Sequence, residues 1–222
     1  LLTVASMILS WIIAIPIGIH SAVNQYSWSD KLLTFIAFIG VAIPNWFFGL
    51  LLLYFTVSRG WGFPVGGMTS IDFADFTFWE KVVDLIRHMF LPTIVLTTGT
   101  VASLMRYMRS NLLDVLRQDY VTTARAKGLS NRVVVYKHAV RNAINPLITI
   151  FGYQLGGLLG GAALTEIVMN WPGIGSLMLS AVQGKDYYLV MGNLVIGAIM
   201  LIFGNLIADI LLAVSDPRIR YE

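Results

Sequence analysis

Residues 187–213 read YYLVMGNLVIGAIMLIFGNLIADILLA, and Asp209 is their only charged side chain. A helix rising 1.5 Å per residue needs about 20 such residues to cross a hydrocarbon core roughly 30 Å thick. Four other stretches have the same character. Residues 1–23 and 32–58 carry no charge, residues 89–108 meet their first charge at Arg106, and residues 142–165 lie between Arg141 and Glu166. One charge at mid-membrane costs about 2.5–3.5 kcal/mol on insertion scales, so five such stretches are hard to place in a soluble core. The ten-residue alternation of a membrane barrel is missing. The expected fold is an all-α membrane protein, a polytopic bundle with five spans forming one domain over residues 1–222.

Composition agrees. Of 222 residues, 57% are hydrophobic and 12% charged, and mean hydropathy is +0.75. A soluble domain carries about twice that share of charge. The absence of cysteine excludes disulfides, thiolate metal sites and cysteine nucleophiles within this sequence. Residues 1–23 lack the basic start and small-residue cleavage site of a secretory signal.

Orientation follows from lysine and arginine. Residues 106–141 hold Arg106, Arg109, Arg117, Arg125, Lys127, Arg132, Lys137 and Arg141, eight of the 15 basic residues, against Asp114 and Asp119. The positive-inside rule puts this segment in the cytoplasm, together with the tail that carries Arg218 and Arg220. Residues 59–88, with Asp72, Asp75, Glu80 and Asp84 against Arg59, Lys81 and Arg87, form an external loop. Five spans ending inside put Leu1 outside, which predicts at least one further helix upstream.

The spans are not plain anchors. Pro16 and Pro44 interrupt the first two, and Pro146 opens the fourth. Such breaks survive where protein or a cavity satisfies the freed backbone groups. Gly152, Gly156, Gly157, Gly160 and Gly161 give the fourth span a flat face, either for close packing or for a sliding or pore-lining surface. Beyond it, residues 166–186, with Trp171, Pro172, Gly173 and Gly175, make an external segment, re-entrant or interfacial.

The strongest local signal lies in the basic segment. Asp119-Tyr120-Val121-Thr122-Thr123-Ala124-Arg125-Ala126-Lys127-Gly128-Leu129 reads as a short helix stopped at Gly128, which can take the left-handed conformation that ends helices. Ser130 or Asn131 can cap the next helix. The product is a basic helical knob below the membrane, tied to the third and fourth spans.

This segment resembles the cytoplasmic loop of the permease subunits of binding-protein-dependent ABC importers. Thr122, Thr123 and Ala124 stand where the general pattern has Glu-Ala-Ala, with Gly128 at its last place. The peptide and nickel subgroup's version is matched by Tyr120, Ala124, Ala126, Lys127, Gly128, Leu129, His138, Ala139, Asn142, Ala143 and Pro146. Ile43-Pro44-Asn45-Trp46 before Gly49, Gln154 to Gly161, Glu166 with Trp171-Pro172-Gly173-Ile174-Gly175, and Asp216-Pro217-Arg218 extend the likeness over nearly the whole chain. It is most similar to the first of the two paired permeases.

The resemblance implies a pore-forming importer subunit in a prokaryotic inner membrane, with peptides or nickel as the solute class. Its partners would be a second homologous permease, two ABC ATPases and an extracytoplasmic solute-binding protein. Residues Tyr120 and Thr123 to Leu129 would couple ATPase movement to alternating access. No cofactor or metal is expected in this chain. ATP and magnesium would bind the ATPases, since no G-x-x-x-x-G-K-[ST] loop occurs. His20, His88 and His138 lack metal-ligand spacing, and a DNA-reading helix-turn-helix makes little sense between two spans.

Asn45, Trp46, Gln154 and Asn193 are pathway candidates, though polar groups within spans also hold helices together. Glu166 either touches a solute or pore gate or forms a structural salt bridge. The competing class is an ion-coupled secondary transporter, which tends to place ionisable groups at membrane depth. Here Asp209 lies near the cytoplasmic end of its span, in place to pair with a basic residue.

Overall fold

The structure, a computed structural model, describes residues 1–215. The Asp216-Pro217-Arg218 match, Arg218 and Arg220 lie outside the described residues. Every element of regular structure among the described residues is helical.

Two long helices set the frame. Helix α1 (Leu2–Val23) packs along α4 (Phe78–Leu116). The contact face of α1 is a stripe of small residues four apart: Ser6, Ser10, Ala14, Gly18 and Ala22, all buried. Lipid is as apolar as leucine, so spans associate by close approach rather than by exclusion from water. At Gly18 a Cβ would lie 2.7 Å from the Cβ of Met108, so no larger residue fits that crossing. Pro16 does not interrupt α1, contrary to the expectation. It removes one intrahelical donor while the packing against α4 carries the helix through.

The second apolar stretch is broken. Helices α2 (Trp28–Ala42) and α3 (Asn45–Arg59) meet at a bend of 100°. Pro44 disfavours helical geometry at Ile43, which sits at φ −88°, ψ 120°. Helix α4 has 39 residues, about 58 Å, roughly twice the thickness of a hydrocarbon core. The loop boundaries expected at residues 88 and 106 therefore fall inside helix. Thr77 starts it, donating from its backbone and hydroxyl to Glu80 at 2.8 Å each.

After α4 come α5 (Asp119–Ala126), the single turn α6 (Asn131–Val133), a widened π turn (Val134–Ala139) and the short α7 (Val140–Ala143). Helix α8 (Asn145–Gly157) follows, then α9 (Ala163–Val168), α10 (Ile174–Gln183) and α11 (Tyr187–Ser215). The expected fourth span is thus a 13-residue helix, about 20 Å long, and not a full crossing by itself. The glycines that begin at Gly156 disfavour helix, and Gly161 turns the chain at φ +68°. Three helices are long and apolar enough to cross a membrane, or up to four if the bent pair counts as one. Five uninterrupted spans are not what the described residues form.

The glycine face divides between its two readings. A Cβ at Gly152 would lie 2.7 Å from that of Ala208, and one at Gly156 2.7 Å from Leu201, so both seat α11. Gly157 has nothing within 4 Å of a Cβ and looks into a cavity. Away from the knob, the elements are joined by Leu2, Val95, Leu96, Met169 and Trp171, and by the Gly67 N–H donating to the Asn170 carbonyl at 3.0 Å.

Candidate functional site

The knob ends as its sequence requires. Gly128 has φ +77°, its N–H donates to the Arg125 carbonyl at 2.9 Å, and the Leu129 N–H reaches the Ala124 carbonyl at 3.4 Å. Together these bonds form a Schellman stop. Ser130 is the cap position of the next helix, without a side-chain bond.

Its two faces do different work. Val121 and Ala124 are buried with Met108, Leu112, Val134 and Leu147, joined by Ile19 and Ala22 of α1. Taking a valine out of water in such a cluster stabilises by about 1.5–3 kcal/mol. The other face exposes Arg125, Ala126, Lys127, Gly128 and Leu129. Asn142 donates to the Tyr120 hydroxyl at 2.7 Å, so two residues of the motif, 22 apart in sequence, clamp α5 to α7. Thr123 donates to the Asp119 carbonyl at 2.8 Å, within its own helix. The Arg141 guanidinium donates to the Ser215 carbonyl at 2.8 Å, and Ser215 donates to Asn145 at 2.9 Å. The knob's support thereby reaches α1, α4, α8 and α11, two more long helices than the sequence indicated.

Asn45 and Gln154 come together. Both line a cavity of about 270 Å³ with Thr3, Ser6, Thr100 and Gly157. Gln154 accepts from the Trp11 indole N–H at 2.7 Å, and the Asn45 carboxamide oxygen lies where a Cβ on Gly99 would be 3.0 Å away. Trp46 and Asn193 are not among the cavity's lining residues. Trp46 is exposed, edge-on to Phe47, and Asn193 is half-buried on α11.

Glu166 lines a cavity of about 680 Å³ with Leu2, Met68, Trp171 and Leu177, and the salt bridge offered for it does not form among the described residues. Its carboxylate is buried and accepts from the backbone N–H of Ala162 at 3.1 Å and of Ser176 at 2.7 Å. Neither ion pair found among the described residues includes it. It is packed so closely that a Cβ on Gly173 would fall 2.1 Å from its carboxyl carbon. Gly173, the N-cap of α10, has no side chain to offer the third helical N–H; Glu166 supplies that acceptor from the preceding helix and ties the α9–α10 hairpin shut. Replacing Glu166 with alanine strands two half-buried donors and should lower stability by about 2 kcal/mol. Glutamine, which keeps one acceptor, should lose less. Thermal unfolding of the purified membrane complex reads both.

The Asp30–Arg109 pair joins residues 79 apart and leaves no local sequence signal. Arg109 donates from Nε and Nη2 to the two Asp30 oxygens at 2.8 and 2.9 Å. Ser21 donates to the same carboxylate, as do Thr34 at 3.3 Å and the Tyr26 N–H at 2.9 Å. Tyr26 is held at φ 65° by that bond. Asp30 is buried at the start of α2, and Ile19 and Ala22 near the end of α1 pack into the knob's cluster, so the α1–α2 turn lies at the same end of the bundle as the knob.

Comparison with known proteins agrees with this architecture. The family described as binding-protein-dependent transport system inner membrane component matches residues 14–221. The chain belongs to this family. It is a family of transport components, not of enzymes, and the chain is a membrane-integral permease. The oligopeptide transport system permease protein AppB of Bacillus subtilis is 46% identical over 222 residues, covering 100% of this chain and 68% of that protein. The dipeptide transport system permease protein DppB of Escherichia coli is 38% identical over 238 residues, covering 100% of this chain and 70% of its own length. A di/tripeptide permease of Pseudomonas aeruginosa is 38% identical over 235 residues, with the same coverage.

Proposed function

We propose that this permease is the pore-forming subunit of an ATP-driven, binding-protein-dependent importer of peptides, working with a second homologous permease, two ABC ATPases and an extracytoplasmic solute-binding protein. One observation carries the reading. A short basic helix offers Arg125, Ala126, Lys127 and Leu129 to the aqueous phase, while its opposite face is locked to the ends of α1 and α4. A push on that surface moves long helices, which is what alternating access needs. Peptide as the solute follows the names of the similar permeases. The cytoplasmic placement of the knob rests on its positive charge. ATP and magnesium are assigned to the ATPases, and the chain itself to coupling and passage.

The mechanism follows from the two faces. ATP-driven closure of the ATPases brings the docked knobs of the two permeases together. The helices rooted in the knob's apolar cluster tilt, and the cavity at Asn45 and Gln154 exchanges one aqueous side for the other. Residues Tyr120 and Thr123 to Leu129 carry force; Asn45 and Gln154 lie in the path, and Glu166 keeps the external hairpin in shape. An ion-coupled carrier would work differently. In vesicles holding the assembled complex, uptake should persist with ATP after the proton gradient is collapsed. Uptake that dies with the gradient and ignores ATP would establish the secondary carrier instead.

A further inference from the structure

Leu96, Thr100, Ser103, Tyr107 and Ser110 of α4 are spaced four, three, four and three residues apart, and so form one face about 21 Å long. The upper members, Leu96 and Thr100, line the cavity that holds Asn45 and Gln154. The lower members, Ser103, Tyr107 and Ser110, line a second cavity of about 480 Å³ with Phe38, Arg106 and Arg109. The opposite face of α4, with Leu91, Val95, Met105, Met108 and Leu112, is buried in the bundle. The stripe therefore runs from the Asn45–Gln154 cavity toward the knob's end of α4. Two of its hydroxyls are satisfied within the helix: Thr100 donates to the Leu96 carbonyl at 3.1 Å and Ser103 to the Gly99 carbonyl at 3.1 Å.

The two arginines of the lower cavity differ. Arg109 is neutralised by Asp30 through two hydrogen bonds. Arg106 pairs with no carboxylate among the described residues; its guanidinium sits over the Phe38 ring, 4.8 Å from the centroid. A guanidinium stacked on an aromatic face keeps its edge donors free for a planar oxyanion. Asp30 thus removes one positive charge from the cavity and leaves one, at a stated place.

We propose that Arg106, framed by Phe38, Ser103, Tyr107 and Ser110, is an anion subsite on the inner half of the solute path, and that it receives the C-terminal carboxylate of a passing peptide. The assignment rests on the peptide-importer reading. The same chemistry would also take a lipid phosphate. The shared face with the Asn45–Gln154 cavity favours the solute.

The test uses the full complex, both permeases with ATPases and binding protein, in proteoliposomes. It compares a short peptide with its C-terminal amide. Arg106→Gln should reduce the acid-to-amide uptake ratio about tenfold relative to the unaltered complex, the loss expected for one charge-assisted bond. Arg106→Lys should recover part of it. Equal loss for both peptides, or an unchanged ratio, overturns the subsite. A loss that follows the anionic-lipid content of the vesicles, rather than the peptide terminus, assigns Arg106 to a lipid headgroup and also overturns it. If the unaltered complex imports neither peptide while hydrolysing ATP, the peptide reading itself has failed.

Discussion

Replacing Gly128 with valine should reduce ATP-driven uptake by tenfold or more while the ATPases continue to hydrolyse ATP. The argument is conformational. Gly128 sits at φ +77°, where a β-branched residue is strained by contact with its own backbone. Nothing else lies within 4 Å of a Cβ there, so crowding by neighbours is not the cause. Strain of about 1–3 kcal/mol at a helix stop is relieved by unwinding the last turn of α5. That turn carries Arg125, Ala126 and Lys127, the exposed coupling surface. Asparagine tolerates the left-handed region, so Gly128→Asn should keep most of the uptake. Unchanged uptake in the valine variant, with the complex still assembled, would remove the knob from the coupling mechanism.

The second large effect is on assembly. Arg109→Ala leaves the Asp30 carboxylate buried with no counter-charge, and a broken buried pair costs about 3–5 kcal/mol. Arg109 keeps some contact with solvent, so the lower figure applies. The turn that holds Tyr26 at positive φ should loosen with it, because that turn hangs on Asp30. The yield of folded complex and its thermal midpoint should both fall. Removing both charges with Asp30→Leu and Arg109→Met should restore part of the loss, since no lone charge remains. Restoration stays partial because Ser21 and the Tyr26 N–H lose their acceptor. A double variant worse than the sum of the single ones would show that the pair is not a unit.

How far a feature could be read from sequence depended on its range. The Gly128 stop was legible because a Schellman motif spans only a few residues. The break at Pro44 was legible because proline acts on its immediate neighbour. The stripe of Ser6, Ser10, Ala14, Gly18 and Ala22 could also have been found, since its period of four is a sequence signal. Its meaning depends on Met105 and Met108, far along the chain. Glu166 was singled out by position, but the salt bridge offered as one of its roles does not form among the described residues. Its partners, Ala162 and Ser176, are backbone donors, and any residue type carries those. Trp46 and Asn193 were chosen for side-chain type alone, and type does not say which way a helix is turned.

Composition, the runs of uncharged residues and the order of the coupling motif determined by themselves that this is a helical membrane permease, because apolar length and local backbone preference act within a few turns of chain. Tertiary structure alone decided that the fourth stretch is a short helix and hairpin, that Asp30 neutralises Arg109 and not Arg106, and that the knob is rooted in α1 and α11 as well as its own neighbours. Those outcomes depend on which surfaces approach closely enough to exclude lipid or water, and residues 70 or more positions apart settle that only when the bundle closes.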